Sequence, residues 1–273
     1  RVGFGPSPEG EAFIQLRRRV VEPRGESRSD TWIVCELAKR LGLGEQFFGG
    51  DEDAGHRWML APSGVTLEEL RAMPEGVRVP LETRYRKYAE PAAEGVVGFA
   101  TPSRRVEIYA QRLLESGQAP LPEYVEPSMS PVSRSDLARR YPLVLTSAKV
   151  VQFCHSQHRS LAQLHRHSPD PVVELHPAAA SSRGIAADDW VRVETPRGTM
   201  RARARLSGSL APDVVCAQHG WWQACEPLGL PGYDVEGAGS ANYNGLIDTR
   251  VADPISGTIP LRSSLCEVRK ASE

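Results

Sequence analysis

Residues 189–206 read DWVRVETPRGTMRARARL, and this stretch carries the clearest secondary-structure pattern in the chain. Val191 and Val193 alternate with Arg192 and Glu194, and a T-P-R-G turn leads into a second alternating run. Successive side chains of a strand point to opposite faces, so each run has one apolar and one solvated face. The stretch therefore predicts a β-hairpin that buries one side. The apolar members of its second run are Met200, Ala202, Ala204 and Leu206.

Further short β-type runs lie on both sides of this hairpin, from Tyr141 onward. They read PLVLT, VVEL, DVVCAQH and LCEVR, and turn residues separate them. His176, Pro177 and Gly184 frame one or two turns of helix, with proline at the first position and glycine just past the end. Many short strands and few helices over about 130 residues predict a closed or nearly closed β-barrel.

The first half of the chain reads as a mixed α/β, linker-rich segment. A helix is predicted in SRSDTWIVCELAKRLGLG, with Ser29 or Asp30 as N-cap and Gly42 as the stop. Thr66 and Glu69 form the capping box of a second helix. The apolar stripe of the first helix comprises Ile33, Val34, Leu37 and Leu41.

The end of this first half has two further patterns. Residues 104–117 begin with alternation at Val106 and Ile108 and finish with helical spacing before a glycine. Residues 119–136 are rich in proline and poor in apolar side chains, which is typical of a linker or a surface strap. We therefore predict one region at residues 1–136 and a barrel domain at residues 137–273.

Composition and charge exclude several classes of function. The chain has 33 Lys and Arg against 34 Asp and Glu, which gives a formal charge of −1. This net charge does not indicate binding to nucleic acid or to an anionic membrane surface. It has no run of about 18 apolar residues and no signal-peptide order at its start. Its five cysteines are scattered without a CxxC spacing, so no disulfide framework is indicated. The opening arginine and loop-like start suggest a piece of a longer polypeptide.

Residues 153–159, FCHSQHR, concentrate cationic and ligand-type side chains. A zinc site would use Cys154, His155 and His158, but a second ligand pair at suitable spacing is missing. A cysteine–histidine nucleophilic pair is disfavoured because adjacent side chains on an extended segment point apart. Six Lys or Arg and one acid lie between residues 134 and 166, which leaves an anion-binding loop or a merely solvated basic loop.

Three further motifs favour anion binding over a solvated loop. TSAK at 146–149 puts two hydroxyls and a lysine at a strand end, where they can wrap a pyrophosphate. QHGWW at 218–222 sets a glycine beside paired tryptophans, which permits a flat ring to approach closely. GSANYNGLID at 239–248 offers amides that can read the polar edge of a purine or pterin. Each motif alone is also typical of a turn or a buried core. The order in which the three motifs follow one another favours the anion-binding interpretation.

Under this interpretation the other side chains of the basic loop have ordinary roles. Cys154 is expected to pack on the opposite side of the strand from the anion, while His165 and His167 are expected in solvated loop. His158 stays open as a further anion contact.

Taken together, these motifs resemble the C-terminal domain of molybdopterin oxidoreductases of the dimethyl sulfoxide reductase family. The resemblance rests on YPLVLTSAKVVQFCHSQHRS, PVVELHPAAASSRGIAADDWVRVETPRGTMRARARL, VVCAQHGWW, ANYNGLI, DPISG and LRSSLCEV, and upstream on EPRGESRSDTWIVCELAKRLGLG and GFATPSRRVEIYAQRL. HSQHRS followed by PVVELHP is most similar to the branch that includes thiosulfate and polysulfide reductases, acetylene hydratase and transhydroxylases. The resemblance implies a six-stranded, double-psi-like β-barrel that closes over a pterin–guanine dinucleotide.

The resemblance also implies which residues contact the cofactor. Arg262 stands where a lysine is frequent in the family, which keeps the charge but changes the contact geometry. No catalytic residue or metal ligand is implied here, because the family's metal ligand and iron–sulfur cysteines lie far upstream. The implied cofactor-binding residues are Thr146, Ser147, Lys149, His155, Ser156, Arg159, His219, Trp221, Asn244 and Arg262.

The implied cofactor is molybdopterin guanine dinucleotide in its bis form, with molybdenum or tungsten, and a 4Fe–4S cluster would be held upstream. Residues 1–136 would be the tail of the upstream catalytic domains plus a connecting strap, and the fragment alone would be inactive. Implied partners are the upstream domains of the same polypeptide and an iron–sulfur electron-transfer subunit, without nucleic acid or membrane insertion. A stand-alone double-psi barrel that serves as a binding or adaptor module is the alternative. The compartment, cytoplasmic or periplasmic, is not indicated.

Overall fold

The computed structural model of the protein describes residues 2–6, 11–80, 86, 88, 89 and 97–271. The chain separates into two compact units, Arg1–Glu107 and Ile108–Glu273. The proline-rich strap belongs to the second unit in this division. The functional boundary after residue 136 stays a prediction.

A three-stranded antiparallel sheet forms part of the first unit. Its strands, in spatial order, are β1 (Val2–Pro6), β2 (Glu11–Leu16) and β3 (Val77–Pro80). The expectation of a loop-like start is therefore wrong for these residues, because β2 pairs with a strand on each side. Ile14 of β2 is buried in the apolar core of this unit with Leu60, Leu67 and Leu70.

The described residues of the first unit also form three α-helices: α1 (Asp30–Arg40), α2 (Glu52–Leu60) and α3 (Leu67–Ala72). Ser29 caps α1 as predicted, and its hydroxyl accepts a hydrogen bond from the Trp32 amide at 3.0 Å. The capping box of α3 is also confirmed, since the Thr66 side chain accepts from the Glu69 amide and the Glu69 carboxylate accepts from the Thr66 amide. Short 3-10 segments in the chain are Glu45–Gly50, Ala61–Ser63, Glu226–Leu228 and Tyr243–Leu246.

The apolar stripe of α1 lies on the surface of this unit instead of in its core. The buried residues of the helix are Cys35 and Ala38. Apolar spacing marks one face of a helix, whereas the elements that cover the face are set by tertiary packing. The stripe residues that are at least half exposed are Ile33, Val34, Leu37 and Leu41.

Two short helices precede the barrel. The predicted helical spacing before Gly117 is confirmed by α4 (Gln111–Glu115), and α5 (Ser135–Ala138) follows the strap. The alternation at Val106 and Ile108 forms no strand, and both side chains are exposed. Two alternating apolar residues without a neighbouring strand to pair with do not make a sheet.

Six strands of the second unit close into a barrel, which confirms the predicted fold class. Their spatial order is β4–β8–β5–β7–β6–β9. The barrel is mixed, because β4/β8 and β5/β7 are parallel while the remaining pairs are antiparallel. The strands are β4 (Leu143–Ala148), β5 (Val172–Leu175), β6 (Trp190–Glu194), β7 (Thr199–Leu206), β8 (Val214–Gln218) and β9 (Ser264–Lys270).

The predicted hairpin is present as the β6/β7 pair, with Glu194 opposite Thr199. Its inward residues Val191, Val193, Met200, Ala202 and Ala204 are buried in the barrel core. Leu206 departs from the predicted pattern, because the last residue of β7 extends beyond the core and its side chain is exposed.

Two short helices connect the early barrel strands: α6 (Ala162–His165) and α7 (Pro177–Ser181). The predicted frame of α7 is confirmed, with His176 as N-cap and Gly184 in a left-handed conformation just past the end. None of the helices among the described residues combines the length and the apolar character needed to span a bilayer.

Candidate functional site

The parallel pairing of β4 with β8 brings two distant motifs together. Thr146 lies opposite Cys216 in this pair, and Ala148 lies opposite Gln218 at the shared carboxyl end. The loops that leave two neighbouring parallel strands emerge at the same edge, which is where open α/β and barrel sites commonly form. The TSAK motif and the QHGWW motif therefore meet at one rim of the barrel.

A cleft of about 560 Å³ opens at this rim. Eight of the ten predicted cofactor-binding residues line it: Ser147, Lys149, His155, Ser156, His219, Trp221, Asn244 and Arg262. The other lining residues are Ala148, Gly220, Trp222, Val235, Asn242, Tyr243 and Leu261. The fold thus gathers residues of TSAK, FCHSQHR, QHGWW and GSANYNGLID, together with Arg262, around one space of small-molecule size.

Gly220 allows the two strand-end loops to touch. Its φ is +85°, and a Cβ placed there would lie 2.8 Å from the carbonyl oxygen of His155 and 3.0 Å from the Cα of Ser156. His155 itself has a φ of 54°, which is uncommon for a residue with a side chain. The backbones of the two loops therefore approach closely, and only glycine fits at the point of contact.

The third wall of the cleft is the ANYNGL segment. Tyr243 is buried in the barrel core, and its hydroxyl donates to the carbonyl of Leu261 at 2.7 Å. Asn242 closes the local turn, because its side-chain oxygen accepts from the Asn244 amide at 3.1 Å and its Nδ2 donates to Val235 O at 3.2 Å. Tyr243, to which the sequence assigned no role, thus anchors both this segment and the loop that carries Arg262.

Arg159 differs from expectation, because it lies beneath the cleft and is absent from its lining. Its side chain is 1% exposed, and Nη2 donates to His155 O at 3.1 Å and to His219 O at 2.7 Å. The guanidinium lies 4.2 Å from the centre of the Phe153 ring and 4.1 Å from that of Trp221. These contacts hold the two cleft loops together, and the implied cofactor-binding role of Arg159 stays a prediction.

The burial of Arg159 has an electrostatic consequence. Desolvation lowers the pKa of this guanidinium to about 10, so it still carries its charge at neutral pH. Its Nε and Nη1 have no hydrogen-bond partner among the described residues. Two carbonyls and two ring faces therefore stabilise the charge in place of a carboxylate.

Thr146 is the second predicted residue that does not line the cleft. It is half-buried within β4, one residue before the rim, where the strand still belongs to the barrel wall. Consecutive side chains of a strand point to opposite faces, so the members of a sequence motif on a strand need not all face the cleft.

Two other residues of the basic loop, His165 and Cys154, lie in surroundings that differ from the prediction, and His158 was left open. His165 was expected in solvated loop but is buried, with its ring 5.7 Å from that of Trp221 and 6.4 Å from that of Phe153. Burial lowers its pKa, and the charge of Arg159 lowers it further. Cys154 was expected to pack but is exposed in a turn, where it bridges to Gln157. His158 is exposed and absent from the cleft lining.

Positive charge dominates the cleft. Lys149 and Arg262 are its permanent cations, and no Asp or Glu occurs among its lining residues, all of which are described. The rings of His155 and His219 lie 5.8 Å apart. Burial lowers the pKa of His219, and the proximity of His155, Arg159 and Lys149 lowers it further. An anion in the cleft would favour the protonated form of this histidine.

Trp221 is positioned by a residue that sequence reasoning missed. Its Nε1 donates to the side-chain oxygen of Gln218 at 3.1 Å, and the same oxygen accepts from the Val172 amide at 3.3 Å. Gln218 is buried at the end of β8. A polar residue at the last position of an otherwise apolar strand is the signal that could have identified it.

The described residues contain no cluster of metal-ligating side chains. No group of three or more His, Cys, Asp or Glu side chains converges among them, and Cys154 and its neighbouring histidines belong to no such group.

Comparison with known proteins gives the family of this barrel. Residues 143–265 match the family model described as "Molydopterin dinucleotide binding domain". The chain is 33% identical to acetylene hydratase of Syntrophotalea acetylenica over 221 residues, which is 80% of this chain and 29% of that protein. It is 27% identical to dimethyl sulfoxide reductase DmsA of Escherichia coli over 286 aligned residues, which is 95% of this chain and 33% of that protein.

A solved structure agrees with these sequence relatives. Acetylene hydratase from Pelobacter acetylenicus superposes with a TM-score of 0.77 at 28% identity, over 99% of this chain and 37% of that one. The chain thus spans roughly a third of the length of the relatives it matches. Together with the cation-lined cleft, these similarities show that the chain belongs to the molybdopterin oxidoreductase family that includes the dimethyl sulfoxide reductases, with residues 143–265 as its molybdopterin dinucleotide binding domain.

Proposed function

We propose that the cleft holds the guanosine diphosphate part of a molybdopterin guanine dinucleotide, and that the chain serves as the cofactor-binding part of a molybdopterin-dependent enzyme. The observation that carries this proposal is the lining of the cleft, which has two permanent cations, hydroxyl and amide groups and no carboxylate. Such a lining favours a diphosphate joined to a ring with polar edges.

The residues present fit such a group. Lys149 and Arg262 would neutralise the diphosphate, and the hydroxyls of Ser147 and Ser156 would donate to its oxygens. Trp222 is half exposed and lines the cleft, so it offers an apolar surface to a ring. Asn244 has both a donor and an acceptor for the edge of a base.

The rest of the enzyme lies outside these contacts. When bound, the cofactor supplies the metal-centred redox chemistry, and the protein supplies binding and orientation. Our proposal includes the bis form of the cofactor, with molybdenum or tungsten, and a 4Fe–4S cluster held by another part of the polypeptide. It also includes upstream domains of the same polypeptide and an iron–sulfur electron-transfer subunit as partners. The family resemblance supports the bis form of the cofactor, the cluster and the partners. The proposed contacts of Lys149 and its neighbours with the diphosphate are the same for molybdenum and for tungsten.

Replacement of Lys149 by alanine tests the proposal most directly. Lys149 is exposed at the end of β4, so its loss should leave the fold intact. We expect guanosine diphosphate to bind the Lys149→Ala chain about 10- to 100-fold more weakly, because a charge-assisted hydrogen bond contributes about 1.5–3 kcal/mol. Isothermal titration calorimetry at two salt concentrations would measure both the affinity and its reduced dependence on salt.

Arg166→Ala is the matched control. Arg166 is an exposed cation of the same basic region but does not line the cleft. Its removal should leave the affinity within about twofold, as expected for a surface charge outside the site. Equal losses in both variants would show that general positive charge, and not this cleft, binds the diphosphate.

The proposal also predicts a pH dependence that His219 controls. The pKa of His219 lies below its ordinary value of 6.5 in the free chain, and a bound diphosphate should raise it. Affinity is therefore greatest below the free-state pKa and is lost as the pH rises through the pKa of the complex. We expect wild-type chain to bind guanosine diphosphate more tightly at pH 5.5 than at pH 7.5.

His219→Gln should flatten this profile while keeping a polar side chain. The titration of the diphosphate itself is common to both proteins, so the difference between their slopes isolates the histidine. Identical slopes in wild type and variant would show that His219 takes up no proton on binding.

A further inference from the structure

Three arginines form a row across the outer wall of the barrel. Arg192 of β6 lies directly opposite Arg201 of β7 on one side and Arg269 of β9 on the other. The residues that alternate with them, Val191, Val193, Met200, Ala202 and Val268, are buried in the barrel core. The arginines therefore point outward together, and we call these three residues the arginine row.

The acids near the arginine row are already occupied. Glu194 is 3.1 Å from Nη2 of Arg140 and 4.0 Å from Nε of Arg269, and it also accepts from the Tyr141 hydroxyl. Glu267 pairs with Arg183 at 2.6 Å. In the part of the chain that the structure describes, no carboxylate lies within 4.0 Å of Arg192 or Arg201.

An aromatic ring holds one end of the row in place. The guanidinium of Arg201 lies 4.3 Å from the centre of the Trp190 ring, and that of Arg203 lies 4.2 Å from it. Arg203 is neutralised by Asp170 at 3.4 Å, but Arg201 has only the ring. The Nε atoms of Arg192 and Arg201 are buried without a hydrogen-bond partner. The row is thus held by neighbouring groups and is incompletely neutralised.

The arginine row should lower the stability of the free chain. Like charges directly opposite each other on a sheet destabilise it, whereas opposite charges in the same positions stabilise it. A surface that places three guanidinium groups side by side is therefore complementary to a group of carboxylates or phosphates.

The spacing of the row favours a carboxylate-bearing protein segment. Neighbouring strands lie about 4.8 Å apart, so the three arginine side chains leave the sheet at intervals of about 5 Å over about 10 Å. Side chains at positions i and i+4 of a helix are separated by about 5–6 Å, which matches this interval. A single phosphate would reach one or two of the three cations.

We propose that the arginine row is a docking surface for an acidic protein helix, one that presents carboxylates at successive i, i+4 positions. The proposal is independent of the diphosphate cleft, because none of the three arginines lines that cleft.

The test uses the full chain and a synthetic alanine-rich helical peptide with three glutamates spaced i, i+4, i+8 on one face. We expect the labelled peptide to bind at low salt, with an affinity that falls as salt is raised. The double variant Arg192→Glu/Arg201→Glu should weaken binding at least about tenfold. Fluorescence anisotropy of the peptide gives the affinity.

Two controls separate this surface from general electrostatic attraction. Arg112→Glu reverses an exposed charge on α4 and should leave peptide binding within about twofold. A peptide with glutamine in place of glutamate should not bind. Equal binding to wild type and to the double variant would overturn the proposal, as would binding of short-chain polyphosphate together with failure of the glutamate peptide.

Thermal unfolding gives a second readout that needs no ligand. Arg192→Gln relieves the like-charge contacts in the free chain, so we expect its Tm to rise by about 1–3 °C. A fall in Tm would show that Arg192 stabilises the barrel by itself, and the docking proposal would then lose its physical basis.

Discussion

Arg159→Ala is expected to produce the largest loss of stability among single changes at the cleft. The change removes both hydrogen bonds from Nη2 to the carbonyls of His155 and His219. It also leaves a cavity beside the rings of Phe153 and Trp221, whose centres lie 4.2 Å and 4.1 Å from the guanidinium and 5.7 Å from each other. Loss of a large, fully buried side chain costs about 3 kcal/mol or more. Chemical denaturation of the chain would measure this cost.

The same variant should lose guanosine diphosphate affinity by an indirect route. Arg159 does not line the cleft, so its removal displaces the two loops without deleting a phosphate contact. The affinity should fall at least about tenfold while its dependence on salt stays close to that of wild type. Lys149→Ala, by contrast, should reduce the salt dependence.

Arg159→Met separates packing from charge, because methionine fills much of the space beside the two rings but has no hydrogen-bond donors. We expect a stability between those of wild type and Arg159→Ala. If Arg159→Met and Arg159→Ala bind guanosine diphosphate as wild type does, the loop-holding role is wrong. In a full-length enzyme, the corresponding measurement is the cofactor content after purification.

Gly220→Ala is the second change with a large expected effect. The new Cβ would meet backbone atoms of His155 and Ser156 at 2.8–3.0 Å, and backbone atoms cannot move aside as a flexible side chain can. The left-handed conformation adds about 1–2 kcal/mol, and the steric conflict adds about 1–3 kcal/mol. We expect a clear loss of stability and loss of measurable guanosine diphosphate binding.

Gly229→Ala is the matched control for this variant. Gly229 also has a positive φ, of +67°, but a Cβ there meets nothing within 4 Å. Gly229→Ala should therefore lose only the stability that the left-handed backbone conformation costs. The additional loss in Gly220→Ala measures the steric conflict between the two cleft loops. If both variants lose the same stability and both still bind, close approach at Gly220 does not shape the cleft.

The sequence determined the strands of the barrel because their signal is local. Alternation with a period of two marks an inward and an outward face within a single run, as in DWVRVETPRGTMRARARL. All six predicted runs became barrel strands, and the capping box at Thr66 formed as predicted. The motifs TSAK, HSQHRS, QHGWW, ANYNGLI and LRSSLCEV together identified eight of the residues that line the cleft.

The role of each charged or aromatic side chain around the cleft was decided only by the tertiary structure. Arg159 and Lys149 look alike in the sequence as members of one basic loop, yet one is buried against two aromatic rings and the other is exposed at the rim. His165 became buried and Cys154 became exposed for the same reason. Burial depends on which distant segments pack against a residue, and local patterns do not contain that information.

Charge patterning shows the same division between sequence and structure. The sequence shows arginines alternating along β7, but only strand register places Arg201 beside Arg192 and Arg192 beside Arg269. Strand pairing also places the carboxyl ends of the parallel strands β4 and β8 side by side, where the cleft forms. Local periodicity determined which residues face in and which face out, and pairing between distant strands decided which of them act together, because neighbours across a sheet are remote along the chain.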